Sequence, residues 1–303
     1  MSIKLTEFGF APYMIATNNR HRPISFLKKY TNCIIIEKNF SEIQKNEYDF
    51  LMVNSDQTWR KFDKHFYDIG FLKFAKNWNI SKFVYGASLG YNKLNLNLTK
   101  EDVKLIKELL NNFTGISVRE NSSIKYIKDY FGKKPILVLD PTLLIDKKYY
   151  LNLIKNFHYK KKFNGNYIFT YIFRKEKNTK KYINYASKKL DYKIYKVKLG
   201  EKNSIEKFIY GIVNCKAVIT NSFHGTVFSI IFNKPFISFI IKNSARERFI
   251  SLKEILKIND RIVEYNEFPN ISLLNRPLNI NYKLLKPLIN QSNEFLKKNL
   301  GIL

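Results

Sequence analysis

Short runs of apolar residues alternate along this chain with stretches whose apolar positions recur at helical spacing. "CIIIE" (33–37) reads as a buried strand, and "YDFLMV" (48–53) as another, ending in the polar cluster "NSDQTW". "KFVYGASLG" (82–90) is a strand running into small residues. "TKEDVKLIKELLNNF" (99–113) opens on Thr99 and carries Glu101 and Asp102 in its first turn, which predicts a capped helix. "GISVRE" (115–120) is a short strand, "NSSIKYIKDYF" (121–131) a helix, and "PILVLDPTLLI" (135–145) a strand stopped by Asp140-Pro141.

The pattern breaks near residues 141–165, where "DKKYYLNLIKNFHYKKKFNGN" is charged and weakly periodic. A second series follows. Strands are predicted at 166–173, 192–199, 216–221 and 235–240, and helices at 178–190 (capped by Asn178 or Thr179), 204–215, 225–233 and 244–258. The last helix, 281–300, contains Pro287, which kinks it or splits off its first turn. Strands alternating with helices imply mainly parallel sheets with helices on their faces. The expected fold is α/β, with two Rossmann-like domains at residues 1–145 and 146–303. Ligands of open α/β sheets bind beyond the C-terminal strand ends.

Composition narrows the setting. The chain has 303 residues, 45% of them hydrophobic, which suits two globular domains. Its two cysteines, Cys33 and Cys215, lack metal-ligand spacing, so a reducing compartment fits best and neither a zinc site nor a disulfide framework is expected. "MSIKLTEFGF" shows no signal peptide, and the apolar stretch near 226–241 is broken by Asn233, Lys234 and Pro235, too interrupted for a transmembrane helix. The net charge is +28. It suits nucleic acid, an anionic membrane or anionic substrates. It also suits lysines on solvated faces of a protein from an AT-rich genome, since Lys far outnumbers Arg. No helix-turn-helix, zinc-finger or RNP-like signature accompanies the charge, so no specific nucleic acid is expected.

Polar clusters stand at four predicted strand ends: Asn54, Ser55, Asp56 and Gln57; Ser88 with Gly90; Arg119 with Glu120; and Asn221, Ser222, Phe223, His224 and Gly225. Each has a plainer reading. Ser55-Asp56 is also a turn or cap, Arg119-Glu120 a surface pair, Ser88 and Gly90 a backbone turn, and His224 a cap or core residue. His21, His65 and His158 sit in Lys-rich or turn-like settings and read as structural. His224 stands out because a helix is predicted to start beside it. Free N–H groups and the helix dipole favour anions there, and Gly225 would let a ligand approach the backbone. No G-x-G-x-x-G, P-loop or nucleophile elbow occurs, and no Asp-x-Asp or His-rich cluster suggests a metal.

"YDFLMVNSDQTW", "YGASLG", "ISVRENSS", "VLDPTLL" and "VITNSFHGTVFSIIFNKPFI" occur in that order, and together they resemble the polysaccharide pyruvyl transferase family over roughly residues 48–265. The resemblance implies two Rossmann-like domains facing each other across a cleft (GT-B-like), with the acceptor on the N-terminal side and the donor on the C-terminal side. Little sequence precedes the Ser-Asp-Gln motif, so the N-terminal domain reads as shortened. The implied activity is metal-independent, cofactor-free transfer of a pyruvyl ketal group from phosphoenolpyruvate to a sugar of a surface glycan or its lipid-linked precursor. The implied setting is cytoplasmic, with peripheral contact at the inner face of an anionic membrane.

The family's functional Arg and His carry over to Arg119 and His224. His224 would be the general acid, and Asp56 or Glu120 would take the hydroxyl proton. Ser55, Gln57, Ser88, Asn221, Ser222 and Gly225 would line the substrate. Family members often carry Arg-Leu-His-Gly where this chain has Ser222-Phe223-His224-Gly225, and Arg246 or Arg248 would substitute for the missing Arg. Two other readings remain open at this point. One is a GT-B-like glycosyltransferase using a nucleotide sugar, and the other a non-catalytic, basic RNA- or glycan-binding protein on the same scaffold.

Overall fold

A computed structural model describes residues 43, 48–55, 57–59, 66–90, 98–157, 166–197, 204–241 and 246–302. Of these, the residues up to Leu144 and those from Lys286 onward form one compact unit, and Ile145–Leu285 form another. The strand predicted at 33–37 lies outside the described residues, as does most of the segment on which the shortening of the first domain was read.

The first unit holds a four-stranded parallel sheet in the order β1 (Phe50–Val53), β2 (Ser81–Ala87), β3 (Gly115–Val118) and β4 (Ile136–Leu137). A short helix, α1 (Phe66–Gly70), follows β1. The helix α2 (Lys100–Asn111) starts in a full capping box: Thr99 accepts from the Asp102 backbone while the Asp102 carboxylate accepts from the Thr99 backbone. The next helix, α3 (Asn121–Phe131), ends at Gly132 in the left-handed region. Both helices cover one face of the sheet, where Ile106, Leu109, Leu110 and Ile127 pack with Val53, Val84 and Val118.

Alternation along β2 sends Phe83 and Tyr85 to the opposite face. That face is covered by the terminal helix α9 (Lys286–Leu300): the Phe295 ring lies 6.3 Å from Phe83 and 6.2 Å from Tyr85. Ser292 Oγ accepts from the Leu139 backbone at 3.0 Å, and a Cβ on Gly115 would meet Asn299 at 2.4 Å. The terminal helix therefore belongs to the first unit, not to a second domain running from 146 to 303. A parallel sheet must be covered on both faces, and α2 and α3 cover only one. Pro287 sits in the first turn of α9, with a separate 3₁₀ turn, Tyr282–Leu285, before it.

The second unit holds a five-stranded parallel sheet in the order β6 (Lys193–Lys196), β5 (Tyr167–Tyr171), β7 (Ala217–Thr220), β8 (Phe236–Ile240) and β9 (Ile262–Glu264). Its helices are α4 (Lys147–Ile154), α5 (Lys177–Leu190), α6 (Ser204–Asn214), α7 (Phe223–Ile231) and α8 (Glu247–Leu256). The chain steps from β5 to β6 on one side, then crosses to β7 on the other. The direction of winding thus reverses between β5 and β7, the topological switch point at which such sheets bind ligands.

Several local expectations are corrected. The segment 141–165 was read as a weakly periodic boundary, yet it contains α4, capped by Asp146 accepting from Lys148. Helix α5 begins at Lys177 with Glu176 at its N-cap, so neither Asn178 nor Thr179 caps it. The strand predicted at 135–145 is two residues long and gives way to a 3₁₀ turn at Pro141, because Pro cannot extend a hydrogen-bonded ladder.

Candidate active site

At the switch point of the second sheet, β5 and β7 end level, with Tyr171 opposite Thr220. Consecutive polar residues leaving β7 then tie the two strand ends together. Thr220 Oγ1 donates to the Tyr171 carbonyl at 2.6 Å and accepts from the Ser222 backbone at 3.0 Å. Asn221 Oδ1 accepts from the Phe173 backbone and its Nδ2 donates to the Arg174 carbonyl, both at 2.8 Å. Buried amide and hydroxyl groups are costly unless hydrogen-bonded, so these bonds fix the loop after β5 against the start of α7.

Ser222 is the N-cap of α7, with Oγ accepting from the Gly225 backbone at 3.2 Å. Helix α7 starts two residues earlier than the period suggested, so His224 lies within its first turn. Thr226 and Ser238 share a 2.6 Å hydroxyl contact that binds α7 to β8. A Cβ on Gly225 would stand 2.4 Å from Thr220 Oγ1. The missing side chain at Gly225 thus serves close packing of helix on strand.

His224 is half-buried, with its ring 5.7 Å from that of Phe223. The Arg248 guanidinium lies 4.8 Å from the centre of the Phe223 ring, a cation–π contact made with the guanidinium largely out of solvent. Arg246 points elsewhere, to Glu264 at 2.7 Å on the exposed surface. Of the two arginines offered in place of the missing one, Arg248 alone packs on the residue next to His224. The nearby Tyr171 hydroxyl is pushed up to about 12 by burial and stays neutral. Burial also pushes the Cys215 thiol up to about 12, which removes it as a nucleophile.

The strand ends of the first unit are built differently. Arg119 leaves β3 and pairs with Asp140 beyond β4, with both side chains 2% exposed. Asp140 also caps the 3₁₀ turn after it, accepting from the Thr142 backbone at 3.0 Å. Glu120 is fully buried: its carboxylate accepts from Ser88 and, at 2.9 Å, from Ser123. Gly86 has φ 60°, and a Cβ there would meet Arg119 Cγ at 3.2 Å and Ser55 Cβ at 3.6 Å, so the bare backbone lets Arg119 cross over the end of β2. Ser55 and Gln57 sit half-buried in the turn after β1, which Thr58 Oγ1 closes onto the Asn54 carbonyl at 2.7 Å.

A family model for polysaccharide pyruvyl transferase matches residues 6–243. The chain belongs to the polysaccharide pyruvyl transferase family. No curated protein sequence matches it. Among solved structures it is similar to a protein assigned as UDP-N-acetylglucosamine 2-epimerase from Listeria monocytogenes, at 12% identity over 97% of this chain and 90% of that one, with a TM-score of 0.47.

Placed in a polysaccharide pyruvyl transferase, the expected residues fall into two groups. Asn221, Ser222, Gly225, His224 and Arg248 gather at the switch point of the second sheet, and Ser55, Ser88, Arg119 and Glu120 gather at the strand ends of the first. Arg119 and Glu120 are not a surface pair, since both are buried with partners of their own. Glu120 has no exposed oxygen with which to take a hydroxyl proton, and that expectation is corrected. Asp56 lies outside the described residues. Asp140 and Thr220 were missed as site-shaping residues. The signal for Asp140 was present: an acid three residues past the end of β4, beside an Arg directly after the neighbouring strand β3. Among the described residues, no group of three or more His, Cys, Asp or Glu side chains could hold a metal ion. None of their helices is long and apolar enough to cross a membrane.

Proposed function

We propose that this family member transfers a pyruvyl group from phosphoenolpyruvate to a sugar of a surface glycan or its lipid-linked precursor, with His224 as the general acid. The observation that carries the reading is the place of His224: half-buried, in the first turn of α7, at the switch point of the second sheet, in a chain that belongs to this family. The positive end of the helix dipole at that start favours an anionic donor. Arg248, held on Phe223, brings a cation to the same turn in place of the Arg that Ser222 lacks.

In the proposed reaction His224 protonates the methylene carbon of phosphoenolpyruvate, which leaves an oxocarbenium-like centre on the neighbouring carbon. A sugar hydroxyl attacks that carbon, and its proton returns to the His224 imidazole. The carbon–oxygen bond to phosphate then breaks, a second hydroxyl closes the ketal, and its proton leaves with the phosphate, so the products are the pyruvate ketal and inorganic phosphate. Proton delivery by a placed acid contributes ~10²–10⁴-fold. Arg119 enters as a positioning residue that, through Asp140, fixes the ends of β3 and β4. A phosphoenolpyruvate donor would suit a cytoplasmic setting.

The test is paired measurement on His224→Asn. Asn still hydrogen-bonds in a first helical turn but delivers no proton, so the melting temperature should hold while turnover with phosphoenolpyruvate falls ~10²-fold or more. Assays run in a chelator should retain wild-type turnover. A folded variant with near-normal turnover, or a wild type stabilised by nucleotide sugars and not by phosphoenolpyruvate, would overturn the reading.

A further inference from the structure

Helix α5 lies on the second unit and carries no acidic residue in its fourteen positions. Its outward face shows Lys177, Lys180, Lys181, Lys188 and Lys189, all exposed, around a single exposed aromatic, Tyr185. Helical spacing puts Tyr185 one turn from Lys181 on one side and one turn from Lys188 and Lys189 on the other, so its ring stands inside the cluster of lysines. Beside it is Phe268, 54% exposed, with its ring 5.3 Å from Tyr185 and 5.0 Å from the buried Tyr182.

Phe268 is braced although it is exposed. Asn178 at the start of α5 donates to the carbonyls of Tyr265 at 3.2 Å and Glu267 at 2.7 Å, which ties the segment before Phe268 to the helix. The neighbouring acid, Glu267, is exposed but folded back on its own turn, with Oε1 accepting from the Glu264 backbone at 3.1 Å. Two aromatic rings are thus held out to solvent at a fixed place within a ring of lysines, with no work inside the fold that requires their exposure.

We propose that this face, formed by α5 and Phe268, docks the protein on an anionic lipid surface. Aromatic rings favour the headgroup boundary, and flanking lysines are drawn to anionic headgroups while their stems lie along the apolar layer. The composition favours lipid over nucleic acid: neither α5 nor residues 265–269 contain Arg, the side chain that grips phosphodiesters at two points and stacks on bases. The inference does not rest on pyruvyl transfer, but it would bring a lipid-linked acceptor to the enzyme.

The experiment is co-sedimentation of the full chain with vesicles of phosphatidylcholine containing phosphatidylglycerol, against vesicles of phosphatidylcholine alone. Binding to the anionic vesicles only is expected, weakening as salt is raised. Each lysine at such a surface is worth roughly fivefold in binding, so K181Q/K188Q/K189Q should bind ~10²-fold more weakly. K104Q/K107Q/K128Q on the first unit, with the same loss of charge, should stay near wild type. Y185S/F268S should lower the binding that survives high salt, with a thermal melt confirming its fold. Equal loss from both lysine triples would overturn the proposal in favour of net charge alone. Absent vesicle binding alongside retained binding of an RNA oligonucleotide would overturn it in favour of a nucleic-acid face. Pyruvyl transfer to a water-soluble acceptor without vesicles reads the enzymatic proposal separately, so either can fail alone.

Discussion

The two sheets finish their strands in opposite ways. In the first unit the strand ends are joined by charges withdrawn from water: Arg119 on Asp140, and Glu120 between Ser88 and Ser123. In the second they are joined by neutral groups, the Thr220 hydroxyl and the Asn221 amide, and His224 is left partly in solvent. A charge inside a fold is stable only while its partner is present, so the first edge suits a rigid frame. Neutral ties hold a loop in place without neutralising what it presents, so the second edge suits chemistry. Sequence motifs of similar appearance, a charged or polar cluster after an apolar run, thus do different work.

The sharpest way to break this contrast is Arg119→Ala. It leaves Asp140 buried without its ion-pair partner and should destabilise the first unit by ~3–5 kcal/mol, read as an earlier transition in chemical denaturation. A variant as stable as wild type would mean that the pair is no frame. Next comes Gly225→Ala, where the new methyl meets Thr220 Oγ1. Overpacking of this kind costs about 1–3 kcal/mol. The double variant with Thr220→Ala should recover part of the loss, and a double-mutant cycle showing no coupling would remove Thr220 as the cause. The smallest effect is expected for Ser222→Ala, which loses a helix cap worth ~1 kcal/mol. If its melting temperature is unchanged while turnover collapses, Ser222 touches substrate directly, and the second edge is less of a scaffold than its hydrogen bonds suggest.

Much of this architecture was legible in the sequence. The cap at Thr99 is local, and the structure places it where the sequence does, adding the reciprocal bond from Asp102. The polar residues after the strand of residues 217–220 sit at a switch point, because alternation of strand and helix nearly dictates a wound parallel sheet. Other features are set by partners far away in sequence. That Gly225 is needed for packing shows only once Thr220 is seen to stand against it. Glu120 reads as a surface acid or a base until Ser88, 32 residues earlier, is found to donate to it. The terminal helix offers no local sign of which sheet it covers, since an amphipathic stripe records that it is buried but not against what.

That helix also sets a condition on synthesis. Ser81 donates to the carbonyl of Asn299, a separation of 218 residues, and Phe83 and Tyr85 meet Phe295 only after the whole Ile145–Leu285 unit has been made. On the ribosome the Ile145–Leu285 unit emerges as one continuous stretch, whereas the first sheet waits for its last helix with an aromatic face uncovered. Contacts of such long separation close slowly, and uncovered apolar surface invites aggregation in the interval. Nascent chains stalled before residue 286 would therefore be the species that depends on chaperones, with its sticky face at the half of the protein that was made first.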